Sequence, residues 1–297
     1  MIRKDQWMIW PAKSDWVSIP LQELLRTTFR VPKGLLHEWR MEKKVKVNGV
    51  DPNWTKPLTL GDELAIELFT KETDEVKPEN LPLDILYEDD HLIIVNKPPY
   101  MNTHPNEEGE TGTLGNALSY YFEAKGIKAR HIHRLDQNTS GAIIFAKHRF
   151  AYALLSQDLL ERKIKRTYVA IVHGTKMKES GTIDAPIGRD RHHPVRRRVS
   201  KSGQQAITHF HIVKKFPPKY SIVKLTLDTG RTHQIRVHLS SIGHPIVGDQ
   251  LYGGKTNNMK RQALHAENIS LIHPFTNEKI KVEAPLPSDM KALIRNI

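Results

Sequence analysis

From Leu83 onward the chain is written in short runs of β-branched and aromatic residues, each too short for a stable helix and bounded by turn formers. Candidate strands cover residues 84–87, 92–96, 141–146, 164–173, 206–213 and 220–227. Helical spacing of apolar residues appears at 113–125, 148–161 and 232–242. Strands in succession with helices clustered between them point to an α+β domain spanning residues 83–297. Its sheet is expected to be mixed and mainly antiparallel.

The preceding part has a different texture. Leu21, Leu24, Leu25 and Phe29 repeat at helical spacing, and a second helix fits Lys33 to Glu42. Alternation at 45–49, with a turn at Asn48-Gly49, and again at 62–68 reads as a pair of strands. Residues 16–69 are therefore expected to form a small α/β module, with 1–15 as an N-terminal extension and the polar stretch 70–82 as a linker.

Cysteine is absent, so disulfide frameworks, thiol nucleophiles and thiolate zinc sites are excluded. No apolar run approaches membrane-spanning length, and the charged, tryptophan-rich start has no signal-peptide core. The expectation is a cytoplasmic protein with no membrane partner.

The net charge of +12 is unevenly spread. Residues 1–80 carry 13 Lys and Arg against 13 Asp and Glu, whereas residues 161–240 carry 18 against 5. A basic excess confined to one segment suits a polyanionic partner. Arg196, Arg197 and Arg198 stand out in it because the planar guanidinium matches phosphate. With no apolar periodicity around them, they are expected on an exposed loop that contacts the phosphates of such a partner. Since residues 1–80 are neutral, residues 81–297 are expected to bind that partner without them.

Two polar clusters are candidates for chemistry. The first, residues 131–141, runs into the apolar strand Ala142–Ala146 and contains one acid, Asp136, among His133, Arg134, Thr139 and Ser140. A loop entering a buried strand is a common place for a site, although such an Asp taken alone is more often a loop cap or ion-pair partner than a catalyst. The second, residues 227–239, turns at Gly230 into a helix expected to begin near Thr232, bringing Arg231, His233 and Arg236 together. A helix start beside an arginine can hold an anion, and a capped helix with surface arginines fits the same residues. His131/His133 and His192/His193 lack acids or thiols at ligand spacing, so no metal site is expected.

Several segments carry a resemblance. They are Tyr87 to Pro98, His133 to Gly141, Lys165 to Ala170, Thr229 to Leu239, Gly243 to Asp249 with Tyr252-Gly253, Leu264 to Ala266 and Ala284 to Pro287. In this order they resemble the RluA-type pseudouridine synthases, the large-ribosomal-subunit family that also contains the dual rRNA/tRNA enzyme. The resemblance implies isomerisation of uridine to pseudouridine in structured RNA, by an enzyme that needs no cofactor. It implies catalytic roles for Asp136, at the sugar C1′ or C2′, for Tyr168, stacked on the extruded base, and for Arg236 as the partner of Asp136.

A base inside a stem must be flipped out to react. Arg134 would then fill the gap or pair with Asp136, while His133, Thr139, Arg231, His233 and Arg196 to Arg198 would contact RNA. Ribosomal RNA is expected ahead of transfer RNA, and the protein is expected to be a monomer. Val45 to Gly49 and Leu60 to Glu63 are similar to S4-type RNA-binding domains, but the first helix lacks their Arg-Leu-Asp opening, so the module is a degenerate S4-like one. The alternative is a non-catalytic RNA-binding or ribosome-assembly protein that keeps the fold. A hydrolase using Asp136 with His133 would need a second acid or a metal.

Overall fold

A computed structural model describes residues 1–297. The N-terminal part comprises β1 (Ile2–Lys4), β2 (Trp7–Pro11), α1 (Leu21–Thr27), α2 (Lys33–Met41), β3 (Val45–Val47) and β4 (Glu63–Glu67). Its four strands form one antiparallel sheet in the order β1-β2-β4-β3. Residues 2–11 are thus the first two strands of the module and not an extension outside it. Met8 and Trp10 alternate inward along β2 and are buried in the module's core, which holds these strands to β4.

The second part contains β5 (Ile85–Glu88), β6 (Leu92–Lys97), α3 (Leu114–Phe122), β7 (Arg130–His131), β8 (Ser140–Ala146), α4 (Arg149–Leu160) and β9 (Lys165–His173). It continues with β10 (Ser180–Asp184), β11 (Ile187–Arg189), β12 (Arg197–Val199), β13 (Ile207–Phe216), β14 (Tyr220–Leu227) and α5 (Gln234–Ser241). It ends with β15 (Leu264–Ile272), β16 (Lys279–Glu283) and α6 (Ser288–Arg295). Ten of these strands form one sheet in the order β10-β13-β14-β9-β15-β8-β6-β5, with β16 on β15 and β7 on β8. Only β15 and β8 run parallel, so the mixed, mainly antiparallel α+β architecture is as expected.

The centre of the sheet is covered on both faces. Ile143 and Phe145 of β8 pack with Leu118 and Phe122 of α3 and Met290 of α6, whereas Ala142 and Ile144 pack with Ala151 and Leu155 of α4. Double coverage explains why β8 reads as an unbroken apolar run. At its start β8 crosses β15 so closely that a Cβ on Gly141, at φ +117°, would lie 2.2 Å from the Ala266 carbonyl oxygen. Only glycine fits there, and the loop before β8 leaves the sheet at a fixed point.

The module is docked onto α4. Phe150 and Leu154 belong to its apolar core, and Trp39 meets Phe150 edge-on at 5.1 Å. Arg30 binds the nearly buried Asp158 at 2.6 Å, and Arg149 pairs with Glu38. Residues 70–82 have no regular structure but lie along α3, where Ser119 and Asn116 donate to the carbonyls of Val76 (2.9 Å) and Lys77 (2.8 Å). Charge neutrality of residues 1–80 therefore does not make them dispensable, because they cover apolar surface of the larger domain. Arg30→Met is expected to lower stability by about 1–3 kcal/mol, since it leaves the Asp158 carboxylate without its principal partner. Urea unfolding followed by circular dichroism measures this.

Candidate active site

The loop between β7 and β8 carries Asp136 and is held from below by buried donors on three separate segments. Thr103 donates to the Leu135 carbonyl (3.1 Å) and accepts from its N–H (3.2 Å). The Lys97 ammonium donates to Gln137 O at 3.1 Å and to Pro98 O and Met101 O at 2.8 Å. Arg261 donates to Asn138 O at 3.0 Å, and Gln262 donates to the Thr139 hydroxyl at 3.2 Å. Arg261 is neutralised by a bidentate pair with Asp289 of α6 (2.7 and 2.9 Å). Burial pulls Lys97 down to about 7, the Asp136 carboxylate acting in the opposite direction.

The partner of Asp136 comes from 100 residues downstream. Arg236 Nη1 donates to Asp136 Oδ2 at 3.0 Å, while its Nε and Nη2 donate to the two oxygens of Asp249 at 2.7 and 2.9 Å. Burial alone would lower the affinity of Arg236 for its proton, but the hydrogen bonds and charges of Asp249 and Asp136 outweigh it and push the value up. The guanidinium is thus a permanent cation with a fixed orientation.

α5, which presents Arg236, begins at Gln234, two residues later than its sequence pattern indicates. His233 adopts the left-handed conformation at φ 58°, so the turn from Gly230 ends there and the helix starts after it. The side-chain oxygen of Gln234 accepts from Thr229 Oγ1 (2.7 Å) and Arg231 N (3.0 Å), and its amide donates to Ile207 O (2.9 Å). This ties the helix start to β13. His233 Nδ1 is 2.9 Å from the Tyr252 hydroxyl, and its Nε2 is 3.9 Å from Asp136 Oδ2.

Asp136 and Arg236 open onto a cavity of about 510 Å³. This is within the size range that encloses small ligands, roughly 300–1,000 Å³. Tyr168 of β9, only 4% exposed, lines the cavity with Leu135, Ile235 and Leu264. Burial pushes its phenol up, the Arg166 guanidinium acting in the opposite direction. His133, Arg134, Thr139, Arg231 and His233 line the cavity too, so eight of the residues singled out from the sequence converge on one cleft. A carboxylate fixed by a guanidinium beside an apolar, aromatic wall can act on a sugar carbon while a planar base is held against the ring.

The RNA pseudouridylate synthase family matches residues 91–241, which include this cleft's Asp136, Tyr168 and Arg236. The chain belongs to that family. Residues 8–64 match the RluD ribosomal pseudouridine synthase N-terminal domain, in keeping with a module that includes β2. The synthase is 49% identical to the uncharacterized RNA pseudouridine synthase YhcT of Bacillus subtilis, over 93% of this chain and 92% of that one. It is 39% identical to ribosomal large subunit pseudouridine synthase D of Escherichia coli, over 87% of this chain and 84% of that one. Among solved structures it is similar to human RNA pseudouridylate synthase domain containing 1, with a TM-score of 0.60 and 28% identity over 72% of this chain and 89% of that one.

Two of the synthase's sequence-derived assignments change. Arg197 and Arg198 lie on β12, which pairs with β11 in a two-stranded ribbon, so only Arg196 keeps the expected place on an exposed loop. The ribbon is largely solvated and lacks an apolar alternation; it is anchored by Ile187, which packs with Val237 and Tyr252. None of the three arginines lines the cavity. Arg197 N donates to the Tyr252 hydroxyl (2.9 Å), one step behind His233, while Arg196 faces Asp190 at 3.6 Å and Arg198 is exposed. His133 is buried and pushed well below its ordinary value by burial, with no ion pair to Asp136; the histidine facing that carboxylate is His233. Sequence reasoning assigns no role to Asp249, Lys97, Arg261 and Tyr252, although each except Arg261 stands in a segment that carries the resemblance. Nothing local marks them, because each acts on a residue supplied by another part of the fold.

Proposed function

We propose that this RNA pseudouridine synthase isomerises specific uridines in structured ribosomal RNA, with Asp136, Tyr168 and Arg236 as its catalytic residues. The observation that carries the reading is the Asp136 carboxylate, fixed by Arg236 at the edge of a cleft lined by Tyr168. In this reading the target base leaves the RNA helix and stacks on Tyr168. Asp136 attacks C1′ or removes a proton from C2′, and the C1′–N1 bond breaks; uracil turns and bonds C1′ through C5 as Asp136 leaves C1′ or returns the C2′ proton, C5 loses its proton and N1 takes one up. Arg134, on the exposed side of the loop, fills the space the base vacates; Thr139, His133, Arg231 and His233 shape the cleft around the nucleotide.

Ribosomal RNA is favoured over transfer RNA by the relatives that are ribosomal large subunit pseudouridine synthases and by the N-terminal match. No helix is long and apolar enough to cross a membrane, and we place the protein in the cytoplasm as a monomer with a degenerate S4-like module. Sequencing carbodiimide-treated RNA from a deletion strain tests the substrate. Loss of pseudouridine from large-subunit rRNA, restored by the full-length chain, is expected. Loss confined to transfer RNA overturns the substrate assignment.

The ribbon arginines add affinity outside the cleft. Replacing Arg196 and Arg198 together with alanine is expected to weaken RNA binding and flatten its salt dependence. The slope of log affinity against log salt should fall by about 0.7–0.9 for each phosphate that is no longer neutralised. Filter binding across a salt series reads both effects.

A further inference from the structure

Three arginines lining the cavity have no ion pair: Arg134, Arg166 and Arg231. Arg134 and Arg231 are exposed, so water satisfies them, and Arg231 Nε also donates to Gln205 O at 3.1 Å. Arg166 differs: its guanidinium lies beside the Tyr168 phenol, but its Nε is buried without any hydrogen-bond partner. The acids nearby are already engaged, Asp136 by Arg236 (3.0 Å) and Asp228 by Arg162 (3.1 Å) and His209 (3.3 Å). A partly desolvated cation with an unfilled donor is costly and calls for an anionic acceptor.

Its position says which anion. Arg166 precedes Tyr168 by two residues on β9, so both side chains project from the same face of the strand, with their Cα atoms about 7 Å apart. Toward the start of β9 exposure rises from the buried Tyr168 through the half-buried Arg166 to the exposed Lys165. The guanidinium lies against the turn after β14, where a Cβ on Gly230 would sit 3.7 Å from its Nη1 and 3.8 Å from its Nη2. A nucleotide whose base stacks on Tyr168 therefore carries its backbone past Arg166 on the way out to solvent.

We propose that Arg166 is a positioning residue that binds a phosphate flanking the target uridine. This rests on the reading that the base stacks on Tyr168. Holding the phosphate fixes the sugar against Asp136, so the contact contributes to the rate through alignment as well as to affinity.

The test uses the full-length chain and a synthetic RNA hairpin around a uridine that it converts. The hairpin is made with native phosphates or with one uncharged methylphosphonate on the 5′ or the 3′ side of that uridine. Arg166→Gln is expected to lower kcat/KM about 10- to 100-fold on native RNA, the range for removal of a charge-assisted hydrogen bond, and Arg166→Lys to recover part of it. One of the two methylphosphonates should slow the wild-type chain by a similar factor and slow Arg166→Gln no further. Losses that multiply at both positions would show that Arg166 touches neither phosphate and overturn the proposal. A fall in kcat at saturating RNA that is indifferent to both substitutions would assign Arg166 to the base instead and overturn it too. The neutral-phosphate effect on the wild-type chain needs no variant to fold. Failure of the underlying reading is separate, because it would appear as turnover by Tyr168→Leu at the wild-type rate on native RNA.

Discussion

Asp136→Asn is expected to abolish pseudouridine formation, with kcat reduced by at least about 10³-fold, while RNA affinity changes little. The amide keeps the size of the carboxylate but can neither accept a proton from C2′ nor serve as the attacking oxygen at C1′. The variant should remain folded for a structural reason. Arg236 keeps its bidentate pair with Asp249, and the loop keeps Thr103, Lys97 and Arg261 on its carbonyls, none of which involves the Asp136 side chain. Single-turnover tritium release from 5-tritiated uridine RNA, beside a binding isotherm, separates the two effects. Turnover within tenfold of the wild-type rate would remove Asp136 from the mechanism.

Asp249→Ala should cost both stability and activity. The Asp249 side chain is 1% exposed and that of Arg236 is 9%, so the pair is removed from water and each partner depends on the other. Deleting the acid leaves two guanidinium nitrogens of Arg236 without acceptors, a situation worth about 3–5 kcal/mol of stability. The freed guanidinium would also lose its orientation toward Asp136, and misplacement of this kind costs about 10²-fold in rate. Asp249→Asn, which retains one acceptor oxygen and the shape, should fall between alanine and the wild type on both scales. Thermal unfolding and kcat/KM on the same samples check this. A chain with alanine at position 249 that is as stable and as fast as the wild type would show that Arg236 does not rely on this pair.

Much of the fold and part of the site can be read from the residues alone, because both are written in local patterns. Burial on both faces of the central sheet produces the unbroken apolar run at β8, and the helical repeats of α3 and α4 identify the elements that cover it. The loop that enters β8 and the turn that enters α5 are visible as dense polar clusters beside apolar segments, and they contain Asp136 and Arg236. The tryptophan-rich β2 is less legible, since five residues of alternation become a strand only when β4 pairs with them. The arginine ribbon is illegible for the same reason: its strands lean on α5 through Ile187 and have no apolar face of their own.

What only the tertiary structure decides is which charges meet. The strand order β14-β9-β15-β8 sets Tyr168 beside the Asp136 loop and α5 across from it, joining residues 100 positions apart. Asp249 reaches Arg236 from a turn shaped by Gly248, at φ +80°, where a Cβ would lie 2.0 Å from the Arg261 carbonyl oxygen. Lys97 and Arg261 support the Asp136 loop from opposite ends of the domain's sequence, and the Nε of Arg166 is left without an acceptor while the nearby acids are engaged elsewhere. Periodicity reports which face of an element avoids water, and it is carried by neighbours three or four residues apart. Pairing of buried charges depends on positions that the folded backbone brings within about 3 Å of one another, and no local pattern records that distance.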